Sequence, residues 1–272
     1  MRTDPLLARL CGHDGNLPPA TLVVAAHPDD ETIGAGARLA RLASSSWIVH
    51  VTDGAPVDRG SFPASMMMAS RATYARIRRD EVLRALAIAG IDPSHVHGMG
   101  VRDQEAMFDM VDIAERLAVL MHDLDVEIVV THAYEGGHPD HDATALCVRA
   151  GAALLARKGC RPPRIAEMSC YHDRGGATVR GEFLPTFDAP EIAVELTDEE
   201  RRLKRSMFSA FATQREVLAA FRCECERFRM APSYDFGTPP HDGRLHYERF
   251  GRSVGGATWR AFARAAIKKM NL

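Results

Sequence analysis

The apolar positions of this chain fall into two alternating patterns. Short continuous apolar runs over 21–26 (TLVVAA), 47–52 (WIVHVT) and 127–132 (EIVVTH) read as strands buried on both faces. Between them apolar residues recur at helical spacing, with Ile33, Ala37, Ala40 and Leu42 sharing a face over 31–43. Further helical patterns run from about 66 to 89, closed by Gly90, over 107–124, and from about 143 to 157. Weaker strands are expected over 95–99 and 165–171, and the Gly-, Pro- and Ser-rich residues 53–65 read as a loop and a candidate lid. Strand and helix therefore alternate to about residue 175. This predicts an α/β fold, a mostly parallel sheet with helices on both faces.

Beyond residue 175 the pattern is less regular. A strand is expected over 192–196, and Thr197-Asp-Glu-Glu200 has the form of a capping box opening a helix to about 221. A loop over 231–246 and an amphipathic helix over 256–268 complete the chain. With no linker, repeat or low-complexity tract, 1–272 reads as a single domain. A core over 20–175 carries a C-terminal extension, 176–272, packed on it.

Composition removes several function classes. The 272 residues hold 34 Lys+Arg against 36 Asp+Glu, a net charge of −2, with 46% hydrophobic residues, which excludes a disordered chain. Near-neutral charge gives no footprint for nucleic acid or an anionic membrane surface. No apolar run approaches a membrane span, and the first residues lack the apolar segment of a signal peptide, so a soluble cytoplasmic protein is expected. The six cysteines form no C-x-x-C pair and read as reduced thiols. The expected partner is a small molecule, with self-association left open. Twelve histidines are the one unusual count, and position decides which of them matter.

Two clusters of metal-type residues follow predicted strands. His27-Pro28-Asp29-Asp30-Glu31 comes directly after the first, and His138-Pro139-Asp140-His141 a few residues beyond 127–132. In open parallel sheets ligands bind outside the carboxyl ends of the strands, so both clusters belong on one edge. His27 and Asp30, like His138 and His141, are three apart, and in a turn entering a helix such a pair faces one way. Proline second in each group presets a turn or first helical residue. Either cluster alone reads more readily as a helix cap. Together they point to a divalent transition metal, most simply zinc, with leftover acids and a leftover histidine for proton transfer.

These two motifs resemble the LmbE/PIG-L family of zinc-dependent N-acetylglucosaminyl deacetylases, which includes enzymes of the mycothiol and bacillithiol pathways. Thr52-Asp53-Gly54, Arg78-x-x-Glu81 and Arg102-Asp103 add weaker likeness, and the resemblance spans roughly 20–172. It implies a Rossmann-like fold and His27, Asp30 and His141 as ligands to Zn2+, with Fe2+ or another divalent ion as the alternative. It further implies Asp29 as general base and His138 as oxyanion stabiliser or acid, held cationic and oriented by Asp140. Arg78 and Asp103 would contact the substrate, an N-acetylated amino sugar or its conjugate, which would release acetate and a free amine. For Arg78 a solvated helix face is the competing reading, because Arg76, Arg79 and Arg84 crowd the same helix.

Rival classes fit less well. Gly34-x-Gly36 suggests a dinucleotide fingerprint, but seven residues separate it from the strand and Leu39 stands where a third glycine is needed. A metal-dependent phosphoesterase, or a hydrolase of another amide or ester, could use similar groups; a two-metal site would want more carboxylates. A non-catalytic metal binder would need neither Asp29 nor His138.

Overall fold

The computed structural model describes residues 4–12, 15–250 and 254–272. In chain order the strands are β1 (Thr21–Ala25), β2 (Ser46–Pro56), β3 (Val96–Asp103), β4 (Ile128–His132), β5 (Arg164–Met168), β6 (Tyr171–Arg174), β7 (Ala177–Arg180), β8 (Glu191–Glu195) and β9 (Cys225–Met230). The helices are α1 (Pro5–Cys11), α2 (Asp30–Leu42), α3 (Arg71–Ile88), α4 (Met110–Asp123), α5 (Pro139–Arg157), α6 (Asp198–Ser209), α7 (Arg215–Leu218) and α8 (Gly256–Met270).

Seven strands form one sheet in the order β3-β2-β1-β4-β5-β9-β8. The first five run parallel, while β9 and β8 join antiparallel. Successive residues of β1 enter opposite cores: Leu22 and Val24 pack with α4, α5 and α8, Val23 and Ala25 with α1, α2, α3 and α6. Both faces are therefore dry, which is why these strands are continuously apolar. The α/β fold and the helices on both faces agree with expectation.

The C-terminal residues differ from expectation, and the cause is chemical. The helix opened by the Thr197 capping box ends at Ser209 rather than near 221. The sheet then gains β9, whose sequence CERFRM alternates charged and apolar residues, yet Glu226 and Arg229 are buried. Their charges are neutralised inside the fold. Lys204 donates to Glu226 at 2.7 Å and to the Ile33 carbonyl at 2.8 Å. Glu226 also accepts the α2 amides of Ala37 (2.8 Å) and Arg38 (3.2 Å). A second unexpected element is the β6–β7 hairpin, turned by Gly175-Gly176, both at positive φ. Residues 53–65 are also more regular than expected: β2 extends to Pro56, and two 3-10 turns follow at Arg59–Ser61 and Ala64–Met66. The helix after them begins at Arg71, capped by Ser70, rather than at 66. All six cysteines are free thiols.

Candidate metal centre and active site

Strand order reverses between β1 and β4: β2 and β3 lie on one side, β5 on the other. Chains leaving the carboxyl ends of β1 and β4 must diverge, which opens a crevice between them. His27 to Asp30 leaves β1 into α2, and His138 to His141 enters α5 after β4. The sheet thus brings together two motifs more than a hundred residues apart in the chain.

Ring nitrogens of His27, His138 and His141 all lie within 4.8 Å of one another. Asp30 stands between two of them, one oxygen 3.0 Å from His27 Nδ1 and the other 3.2 Å from His141 Nε2. All four residues are buried. Burial opposes charge on Asp30, yet His141, His132 and His27 hold its carboxyl well below the usual range. Burial pushes the His141 imidazole down to about 3, so the ring is the neutral form that ligates metals. His141 Nε2 is buried without a hydrogen bond, and Asp103 and Asp140 gather around the neighbouring His27 and His138. An orphaned imidazole nitrogen facing a surplus of buried carboxylate fits a divalent cation.

Asp29 differs from its neighbours in its backbone. Its φ of 153° lies where residues other than glycine are strained, and its carboxylate pairs with Arg78. The buried Arg78 guanidinium holds the turn, donating to the Pro28 carbonyl at 2.8 Å and lying 3.2 Å from Asp29 Oδ2. Burial raises the Asp29 carboxyl to about 7, against the pull of Arg78 and with the push of Asp30. The turn is braced from β2 as well: Thr52 donates to the Ala26 carbonyl through its amide and hydroxyl, and Arg78 reaches the Gly54 carbonyl. Glu81, one helical turn on, accepts the amide and hydroxyl of Thr213 and ties α3 to the C-terminal residues. Arg78 is therefore neither on a solvated face nor, in this conformation, directed outward; its described contacts all point into the protein.

His138 caps α5, its Nδ1 accepting the Asp140 amide at 3.2 Å. A neutral ring so placed carries its proton on Nε2. Asp140 lies 3.9 Å from His138 Nδ1 but 3.2 Å from His27 Nε2, and accepts the amides of Gln104 and Ala106. Asp140 is expected to orient His138 and hold it cationic; its amide meets the ring at Nδ1, while its carboxylate lies nearer His27. Asp103, at the end of β3, is also 3.2 Å from His27 Nε2. Burial disfavours charge on His27, but Asp103 and Asp30 hold it well above its ordinary value. Asp30, Asp103, Asp140, His138 and His141, all assigned from the sequence, thus meet around His27.

Two neighbours were not singled out by spacing. His132, the last residue of β4, stacks on His141 with ring centroids 4.0 Å apart and lies 3.4 Å from Asp30 Oδ2. Its place at a strand end beside the second motif was the available signal. His50 pairs with the buried Glu31 at 3.0 Å, leaving Glu31 inside the fold behind the turn. Gly34 and Gly36 lie within α2, not at its entrance, so no phosphate-binding turn exists there. No helix among the described residues is long and apolar enough to cross a membrane.

Residues 22–152 match the family model described as PIG-L, GlcNAc-PI de-N-acetylase. The chain is 27% identical to 1D-myo-inositol 2-acetamido-2-deoxy-alpha-D-glucopyranoside deacetylase 2 of Catenulispora acidiphila over 76% of this chain and 83% of that one. It is 30% identical to a probable N-acetyl-alpha-D-glucosaminyl L-malate deacetylase 2 of Bacillus cereus over 45% of this chain and 56% of that protein. The chain thus spans only about half the length of that relative. Among solved structures, the A40926 pseudoaglycone deacetylase superposes with a TM-score of 0.57 at 19% identity, covering 80% of this chain and 98% of that one, a likeness of fold.

Proposed function

We propose, from the match of residues 22–152 to the PIG-L family model, that the chain is a metal-dependent de-N-acetylase acting on an N-acetylglucosamine-type amino sugar or its conjugate. One observation carries the reading: a neutral His141 nitrogen without a hydrogen bond faces the Asp30 carboxylate, beside an Asp29 held by Arg78. His27, Asp30 and His141 would hold the metal, zinc being the first choice for this nitrogen and oxygen set and iron(II) the second. When bound, such an ion supplies Lewis acidity, which lowers the pKa of water and polarises an amide carbonyl.

The chain's own groups do the rest. Asp29 accepts the proton of the attacking water, its carboxylate aimed by Arg78 and by the strained turn. His138 offers Nε2–H as a hydrogen bond to the oxyanion that develops on the amide, and the proton taken up by Asp29 passes to the departing amine. Asp140 fixes the start of α5 and one edge of His27. Asp103 supports that same edge, and its partly open carboxylate remains the substrate-side group. We assign Arg78 to positioning Asp29, since its contacts run to Asp29, Pro28 and Gly54.

The test is acetate release from N-acetylglucosamine, its methyl glycoside, and its inositol and malate glycosides, with metal content measured on the same sample. Turnover of at least one with about one ion per chain is the expected result. Absence of bound metal together with no binding of added zinc or iron would overturn it.

A further inference from the structure

The loop that presents His138 has little to hold it. Residues 133–138 contain no regular structure, and two glycines, Gly136 and Gly137, directly precede the histidine. Such a pair leaves the main chain free to rotate. Its ordered path comes from outside. Asp142 accepts the Gly136 amide at 3.1 Å. The Gly136 carbonyl accepts the His246 amide at 2.9 Å, and the Gly137 carbonyl lies 3.1 Å from His246 Nδ1. Gly137 is pressed so close to β6 that a Cβ there would stand 2.1 Å from the Tyr171 carbonyl oxygen. No side chain fits.

The His246 ring has a defined tautomer. A carbonyl can only accept, so Nδ1 carries the proton. Burial lowers the ring's pKa and favours the neutral form. Nε2 is then an acceptor, and its partner at 3.1 Å is the Thr178 hydroxyl of β7. A chain of donors therefore runs from Thr178 through His246 to the Gly137 carbonyl. That carbonyl lies in the same rigid peptide plane as the His138 amide. Whatever turns the carbonyl turns the backbone from which His138 projects. The Tyr171 ring fills the remaining space, its centroid 5.0 Å from His246 and 5.2 Å from His141.

We propose that His246 is a positioning residue that sets the Gly137–His138 peptide plane and thereby aims the His138 ring. The proposal rests on the reading of His138 as the group that serves the oxyanion. It gives the C-terminal loop, outside the family match at 22–152, a part in the reaction.

The test compares His246→Ala, His246→Asn and Thr178→Val in the metal-loaded full chain, using the best glycoside of the series above. Asn keeps an N–H donor near the place of Nδ1. His246→Ala should lower kcat by about 10- to 100-fold with KM and metal content little changed, the scale of a misplaced catalytic group. His246→Asn should recover most of that loss, and Thr178→Val should show a smaller effect of the same sign. A kcat for His246→Ala within about twofold of the parent overturns the proposal, well short of the misplacement scale. So does a loss that Asn does not restore and that follows metal content or melting temperature. If His246→Ala does not fold, the other two variants decide: a near-parent Asn beside an impaired Thr178→Val supports the proposal, and an unimpaired Thr178→Val overturns it. If the parent chain releases no acetate from any glycoside, the functional reading has failed instead. Positioning is then read from 15N-labelled histidine spectra, where the His138 ring signals must move in His246→Ala and return in His246→Asn.

Discussion

Arg229 and His141 are both buried among carboxylates, and the two surroundings have opposite accounts of their polar atoms. Arg229 donates through Nε to Glu167 at 2.8 Å, through Nη1 to the Leu184 carbonyl, and through Nη2 to Glu135 and the Tyr234 hydroxyl. Tyr234 passes a further hydrogen bond to Glu167, and Arg149 adds a second cation at 3.5 Å. Around His141 there is an imidazole nitrogen without a hydrogen bond, and several carboxylates crowd a few histidines. A saturated network fixes a strand such as β9 in place, because any rearrangement exposes an unpaired charge. An unsaturated one of the same composition is costly in isolation and becomes favourable once a cation completes it. The difference separates a buried network that holds the fold from one that does chemistry.

The sharpest way to break the comparison is at Asp29. Asp29→Asn should cut acetate release by about 10²–10⁴-fold with metal retained, because it removes the base and leaves the ligands. Metal loss in that variant, measured by elemental analysis, would place Asp29 among the ligands. At the saturated cluster, Arg229→Met should lower unfolding stability by about 3–5 kcal/mol, since Glu167 and Glu135 lose their shared partner. Denaturant titration should reveal this while kcat of the folded, metal-loaded fraction stays near that of the parent. His138→Ala should reduce kcat by about 10²–10³-fold without unfolding the chain, the usual cost of one oxyanion donor.

The smallest effect is in pH dependence. Asp29 works as a base only when ionised, and burial raises it to about 7 in the metal-free protein. kcat/KM should therefore fall as pH drops through the Asp29 pKa, with a limiting slope of one proton. A bound cation favours the carboxylate, so the limb of the loaded enzyme should lie below that value. A profile that shows no acid limb down to the lowest pH at which the metal is retained would remove Asp29 from the base's role.

Much of this was legible in the chain because the signal was local. Apolar runs such as TLVVAA and EIVVTH fix strands buried on both faces, and a histidine or aspartate just past a strand end has little choice of direction. The illegible parts depend on partners far away. No strand is read over CERFRM because nothing local announces Lys204, which neutralises Glu226, or Glu135 and Glu167, which receive Arg229. Arg78 shares a helix with Arg76, Arg79 and Arg84, and only the packing of α3 on the β1 turn reveals which arginine is inside. His132 and His246 look like any other histidines until the sheet and the C-terminal loop carry them to the site.

The grip of Lys204 and Glu226 on α2 has a kinetic meaning. The amides of Ala37 and Arg38 point at a carboxylate supplied by β9, so their solvent exchange reports whether the distant end of the chain is docked. α2 begins at Asp30. Any excursion that releases β9 would loosen the helix that carries this proposed ligand, and the chain's last hundred residues would then govern how long a bound ion stays.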